Sequence, residues 1–240
     1  MGNRVSIVVP ALNEAEAIGA VVRSMPWGEP AFDLAECIVV DNGSADGTGD
    51  VAREAGARVV TSPRGYGAAC WAGTLAAVGD VLVFMDGDGA DTVEDFEKIV
   101  GPVLRGEADF CIGSRIRGRR EPGSLSPPQV LAGHLIGWMV KVMYGYRYTD
   151  MGAFRAIRKE TLLGLGMTEM TFGWNLEMQV RAVQCGLRIV EVPTDYKCRV
   201  AGVSKVSGDL KAAVKTVWRI AEVLVRTRKR AKAEREVRKV

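Results

Sequence analysis

At 240 residues with 48% hydrophobic side chains, the chain can bury one substantial core with room for a small appendage. A net charge of +3 is too small to mark a nucleic-acid binder, and no nucleic acid is expected among its partners. Five cysteines with no CxxC pair, no signal-peptide pattern at Met1–Arg4 and no apolar run of the ~18 residues that a membrane span needs point to a reduced, cytoplasmic setting.

Val5 to Val9 is an apolar run ending at Pro10, which reads as a first parallel strand. Pro10-Ala-Leu-Asn-Glu14 is the turn after it, with Asn13 placed to cap a helix over 14–25. A second strand spans 36–40 and stops at Asp41. The loop Asn42 to Thr48 is dense in turn and capping residues and delivers the chain to another helix. A third strand over 58–61, a turn at Gly65-Tyr-Gly67 and a small-residue helix over 68–78 lead to Val81-Leu-Val-Phe84. Strands and helices alternating at this spacing are βαβ units, so the expected class is α/β, a Rossmann-like, mostly parallel sheet flanked by helices.

The fourth strand stops at Asp86-Gly87-Asp88, two carboxylates one residue apart. Residues two apart on an extended chain point the same way, and Gly87 lets the backbone turn close to a ligand. Hard oxygen donors at a strand's carboxyl end suit Mg²⁺ or Mn²⁺ carrying a substrate diphosphate. The first, second and fourth strands end at Glu14, Asp41 and the Asp86/Asp88 pair, which together make an acidic pocket for a metal ion and a base or ribose. Neither a Gly-x-Gly-x-x-Gly nor a P-loop motif follows the first strand, against dinucleotide and ATP sites.

Farther along come a helix from Asp91 to Leu104 and a strand over 108–113. Ser114 to Gln129 follows, an irregular loop with four arginines and three prolines, of which Arg115 lies nearest the strand end. Helices are expected over 130–144 and 173–185, the second carrying Glu177, with strands over 153–157 and 187–192. A polar loop, Arg199 to Gly208, precedes a helix whose apolar stripe (Leu210, Val214, Val217, Ala221, Leu224) runs into a basic end. That stripe either packs on the domain or lies on an anionic membrane.

Seven motifs in order carry a resemblance: Val-Val-Pro-Ala-Leu-Asn-Glu (8–14), Asp-Asn-Gly-Ser-Ala-Asp-Gly-Thr (41–48), Arg-Gly-Tyr-Gly-Ala-Ala (64–69), Phe-Met-Asp-Gly-Asp-Gly (84–89), Gly-Ser-Arg (113–115), Thr-Asp-Met-Gly-Ala-Phe-Arg (149–155) and Ser-Lys-Val-Ser-Gly (204–208). With them the chain resembles family-2 glycosyltransferases of GT-A fold, most of all the dolichol- and polyprenyl-phosphate sugar synthases without their membrane helices. The resemblance implies a glycosyltransferase unit over 1–208, with a nucleotide-sugar half (1–113) and an acceptor half (114–208), followed by a basic amphipathic helix over 209–240. It implies that Pro10, Leu12, Glu14 and Asp41 line the nucleoside together with Asp86 and Gly87. Asp86 and Asp88 would hold Mg²⁺ or Mn²⁺, and Arg115, Arg199, Ser204 and Lys205 would gather the phosphates of donor and acceptor. Two departures stand out: Asn42 where the family usually has a second Asp, and Ala90 where the polyprenyl-phosphate enzymes usually carry a Gln, so that Asp91 or water would complete a metal shell.

The expected reaction is an inverting, metal-dependent transfer of a sugar from a UDP- or GDP-sugar, with Asp88 and Glu177 as the catalytic carboxylates. A polyprenyl-phosphate acceptor would bring peripheral contact with the inner face of the membrane; a hydroxyl acceptor would use Glu177 as general base. A sugar-nucleotide pyrophosphorylase and a non-catalytic nucleotide-binding module are the rival classes.

Overall fold

The structure is a computed structural model that describes residues 3–200, 220 and 222–230. Its centre is a seven-stranded sheet of order β3-β2-β1-β4-β6-β5-β7. The strands are β1 (Arg4–Ala11), β2 (Asp33–Asp41), β3 (Arg58–Thr61), β4 (Val81–Phe84), β5 (Phe110–Ser114), β6 (Arg155–Arg158) and β7 (Ile189–Pro193). β1, β2, β3 and β4 pair in parallel, and β5 pairs with β7 in parallel. β6 alone runs the other way, antiparallel to both β4 and β5. The helices are α1 (Ala15–Arg23), α2 (Thr48–Glu54), α3 (Tyr66–Ala76), α4 (Phe96–Leu104), α5 (Pro127–Tyr144), α6 (Lys159–Leu165) and α7 (Trp174–Gln184).

Side chains of a strand alternate between faces, and β1 shows what that does here. Ile7 and Val9 join one core layer with Ile18, Val22, Phe96 and Ile99. Val8 joins the other, with Ile38, Phe84, Phe110, Trp174 and Val180. Cys37, Cys70 and Cys111 are free thiols inside these layers, and burial pushes Cys37 and Cys111 up to about 12.

The elements expected within 3–200 are present with shifted ends, and α6, which the sequence did not announce, follows β6 directly. Asn13 is not the cap of α1. It takes a left-handed backbone (φ 53), its Oδ1 accepts from the Ala45 N–H at 2.9 Å, and Asp46 accepts from the Ala15 N–H at 3.0 Å instead. The helix start is thus capped from the neighbouring loop rather than from its own chain. The 222–230 segment is helical, with Val223, Leu224 and Thr227 buried. Leu224 accepts a hydrogen bond from the Tyr144 hydroxyl of α5 at 2.8 Å, so this stretch packs on the domain.

The direction of β6 decides what meets at the functional edge. The turns after β1, β2, β4, β5 and β7 all leave from the carboxyl edge of the parallel strands. An antiparallel strand begins at that edge, so the approach to β6, Thr149 to Phe154, arrives there too. Between β1 and β4 the winding reverses, which opens the crevice where ligands of such sheets bind.

Candidate active site

Asp86, Asp88 and Asp91 hang together in the turn that leaves β4. Asp88 is 2% exposed, and its Oδ1 accepts from the Ala90 N–H at 3.0 Å. Asp91 is also buried, and its Oδ2 accepts from the Asp86 N–H at 3.1 Å. Burial, then the Asp88 carboxylate, pushes Asp86 up to about 6; burial, then Asp86, pushes Asp91 up to about 7. Carboxylates so placed call for positive charge. Among the described residues no three acidic, histidine or cysteine side chains form a ready-made metal cage. Two aspartates with a diphosphate and water are nevertheless what Mg²⁺-type sites use, so the donor set fits a divalent cation held jointly with substrate.

Three cations stand near. Arg199 reaches Asp88 Oδ2 at 3.1 Å, and the Val200 N–H donates to the Asp88 carbonyl at 3.1 Å. Arg115, at the end of β5, is clamped by Asp150 through two side-chain bonds of 2.8 Å and one backbone bond of 2.9 Å. Its guanidinium lies 4.9 Å from the centre of the Tyr196 ring and lowers the pKa of Asp86. Arg155 is fully buried, is electrostatically coupled to Asp86 and Tyr66, and donates to the carbonyls of Gly152 and Ala153. The Tyr66 hydroxyl donates to Asp86 Oδ1 at 3.3 Å.

Asp150, Arg155, Tyr66 and Tyr196 received no role from the sequence. For three of them the signal was the motifs themselves: Asp150 and Arg155 lie within 149–155 and Tyr66 within 64–69, whereas Tyr196 lies in no motif. The 149–155 motif locks onto Gly-Ser-Arg (113–115), with Thr149 Oγ1 2.7 Å from Ser114 Oγ.

The residues expected to line a nucleoside lie across the crevice. Pro10 is in β1, and Leu12 and Glu14 follow in its turn, where the Glu14 N–H donates to Thr48 Oγ1 at 2.9 Å. Asp41 ends β2, and its Oδ1 accepts from the Ser44 N–H at 2.8 Å. Asn42 has a structural reason to differ from Asp. Its Nδ2 donates to Ser62 Oγ, the Pro63 carbonyl and the Gly65 carbonyl at 2.8, 2.7 and 3.1 Å, while Oδ1 accepts from the Gly65 N–H at 2.9 Å. A carboxylate could accept from the Gly65 N–H and from a turned Ser62 hydroxyl, but it could donate to neither carbonyl. Gly87 is buried beneath the pair, against Ile18 and Val9.

Glu177 faces the 168–169 backbone. It is 1% exposed; Oε2 accepts from the N–H groups of Thr168 and Glu169 at 2.9 and 2.7 Å, and Oε1 accepts from Thr168 Oγ1 at 2.7 Å. Arg226 lies 4.0 Å away and pairs more closely with Glu169, at 2.7 Å. The strand of chain that Glu177 pins, 168–171, receives the start of α3: the Ala68 N–H donates to the Met170 carbonyl at 2.9 Å. A Cβ on Gly67 would meet the Glu169 carbonyl at 2.4 Å, so this approach requires glycine. Glu177 thereby supports the helix that presents Tyr66 to Asp86. Ser204 and Lys205, and 209–219, 221 and 231–240 of the expected C-terminal helix, lie outside the described residues.

A family model described as glycosyl transferase family 2 matches residues 6–163. The chain belongs to that family. It is 36% identical over 226 residues to an uncharacterized glycosyltransferase of Mycobacterium tuberculosis, covering 91% of this chain and 98% of that one. It is 33% identical over 225 residues to the undecaprenyl-phosphate mannosyltransferase of Micrococcus luteus, covering 86% and 89%. Among solved structures, glucosyl-3-phosphoglycerate synthase of Mycobacterium tuberculosis superposes with a TM-score of 0.72 at 24% identity, over 94% of this chain and 81% of that one. The same enzyme with Mn²⁺ and uridine-diphosphate-glucose gives 0.69 at 21%, over 94% and 79%. This glycosyltransferase therefore has the GT-A fold, and its enzyme class follows from the family.

Proposed function

We propose that this glycosyltransferase moves a hexose from a nucleotide-diphosphate sugar to a polyprenyl phosphate, inverting the anomeric centre. The observation that carries the acceptor choice is Glu177: it is buried, and its oxygens already accept three hydrogen bonds from Thr168 and Glu169, so it is held as a structural carboxylate rather than poised as the general base a hydroxyl acceptor needs. A phosphate monoester is largely ionised near pH 7, its second pKa being about 6, and needs placing rather than deprotonating. Relatives named undecaprenyl-phosphate mannosyltransferase and polyprenol monophosphomannose synthase, 33% and 30% identical, support the same acceptor.

The roles of the chain's own groups follow from position. Asp41 and the β1 turn receive the nucleoside. Asp86 and Asp88 would hold Mg²⁺ or Mn²⁺, which when bound neutralises charge on the departing diphosphate. Arg115, oriented by Asp150, offers a fixed cation to a phosphate oxygen. Arg199, with Ser204 and Lys205 farther along, would draw on the diphosphate. The acceptor oxygen attacks the anomeric carbon opposite the departing oxygen; the bond to the nucleoside diphosphate breaks as the new glycosyl–phosphate bond forms. Contact with a membrane belongs to this reading, since the acceptor is a lipid.

The test is direct. The protein is incubated with Mn²⁺, a panel of UDP- and GDP-hexoses and undecaprenyl phosphate, and products are read by mass spectrometry. A lipid-phosphate hexose is the expected product. Transfer to a hydroxyl acceptor such as phosphoglyceric acid, with none to undecaprenyl phosphate, overturns the proposal.

A further inference from the structure

α5 breaks the usual rule for a surface helix. Its inner side packs through Gly133, Gly137 and Val140. Its outer side should then be polar, yet Leu131, Leu135, Trp138 and Val142 stand 70%, 52%, 55% and 65% exposed. Spaced by four, three and four residues, they form one stripe about 16 Å long. Scattered exposed apolar residues are ordinary; a contiguous stripe marks a contact surface. Among the described residues the C-terminal segment leaves this stripe uncovered: Val223 and Leu224 are buried in the core, and Val225 is itself exposed.

Charge identifies the partner. Pro127 to Tyr144 contains no acidic residue. Exposed cations flank the stripe on both sides: Arg119 and Arg120 before it, Lys141 and Arg147 along and after it. Against these four cations stands the carboxylate of Glu121, which accepts from the Cys198 N–H at 2.7 Å, so the surroundings of the stripe keep a cationic excess. Two copies of the chain meeting on this stripe would bring like charges together. An anionic lipid surface would neutralise them and take up the apolar side chains, with Trp138 at the headgroup level where its ring is favoured. A cavity of about 680 Å³, lined by Arg120, Leu125, Val130, Leu131 and His134, opens at the end of the stripe toward the arginine loop.

We infer that α5 is the face with which this enzyme lies on an anionic bilayer, its axis in the plane of the interface. The inference rests on the lipid-acceptor reading above but concerns a different surface from the reaction centre. It also moves the membrane contact from the C-terminal tail, where the sequence suggested it, to the middle of the chain.

The experiment uses the full chain and vesicles of phosphatidylglycerol and phosphatidylcholine. The protein is expected to bind the anionic vesicles, with binding falling steeply as salt rises. Leu135→Glu and Trp138→Glu should each weaken it at least tenfold, while Phe172→Ser, at an exposed apolar residue outside α5, should not. Lipids brominated on the acyl chain should quench tryptophan emission in the native protein and in Trp27→Phe, but much less in Trp138→Phe. Unchanged binding in the α5 variants overturns the inference, as does a protein that ignores vesicles. A dimer in solution that Trp138→Glu dissolves, without vesicle binding, overturns it in favour of a second copy. Transfer to a short, water-soluble isoprenoid phosphate separates the two readings. That activity should survive Leu135→Glu. Its absence in native protein that still binds vesicles sinks the acceptor assignment and leaves the docking face standing.

Discussion

Glu177→Gln separates a catalytic base from a structural carboxylate, and the hydrogen bonds give the size of the effect. Three donors converge on Glu177: two backbone N–H groups share one oxygen and the Thr168 hydroxyl takes the other. Gln can keep its carbonyl oxygen toward the two N–H groups, and the Thr168 hydroxyl can rotate to accept from the new amide. Those bonds fall from charge-assisted to neutral, a loss of about 1 kcal/mol each. Arg226 loses the more distant of its two acidic neighbours but keeps Glu169 at 2.7 Å. The sum is about 2–3 kcal/mol, or a fall in Tm of roughly 5–10 °C for a chain of this size. Glu177→Ala should fall further, since it strands two N–H groups at about 1–3 kcal/mol apiece. Transfer measured well below the lowered Tm should drop less than tenfold in Glu177→Gln. Differential scanning fluorimetry and a steady-state transfer assay read both quantities on one preparation. A loss of several hundredfold with an unchanged Tm would refute the reasoning and restore Glu177 as a base, which is typically worth ~10²–10⁴-fold.

Asp86→Asn and Asp88→Asn should each abolish Mn²⁺-dependent binding of UDP or GDP, followed by calorimetry, while the fold persists; full nucleotide binding in either variant would remove the metal assignment. Asn42→Asp, although it restores the residue usual in the family, should destabilise by about 2–4 kcal/mol, because the Pro63 and Gly65 carbonyls lose their donor and face a carboxylate instead; a variant as stable as the native protein in urea would contradict that. Burial alone would push Asp150 up, but its bonds to Arg115 hold it below the usual carboxylate range. Its contribution is therefore present above the unfolded value near 4 and is lost as the pH falls through the lower folded value. Arg115→Gln should raise the pH of acid unfolding monitored by circular dichroism, and an unmoved midpoint would count against the pair.

How much of this the sequence disclosed varies along the chain. β1 to β4 and the Asp86-Gly-Asp88 turn were readable because parallel buried strands are short apolar runs, and their polar ends name the sheet edge. β6 was readable as a strand, but its direction was not, since direction is set by partners far away in sequence. With the direction went the meeting of Asp150 with Arg115. Asn13 misled because a capping residue and a left-handed turn residue have the same composition signal. The surroundings of Glu177 were hidden for a related reason: a motif locates a carboxylate on a helix but says nothing of which N–H groups it faces. The departures at Asn42 and Ala90 differ in the same way. Asn42 is explained by the donors it supplies; Ala90 is buried, with its N–H on Asp88 and its carbonyl accepting from Lys197, which leaves Asp91 as the neighbouring carboxylate.

The reversed strand also bears on how the chain is made. β4 is an apolar Val-Leu-Val-Phe segment, and on its far side it is sealed by β6, with Val81 opposite Arg158 and Phe84 opposite Arg155. On a ribosome adding ~5–20 residues per second, more than 70 residues must follow β4 before that partner exists, which takes roughly 4–15 s. For that interval the nascent chain carries an open, hydrophobic strand edge of the kind that templates aggregation. The interlocking that fixes the active-site edge thus makes β4 the segment most in need of shielding during synthesis, and neither 1–113 nor 114–208 can complete its sheet alone.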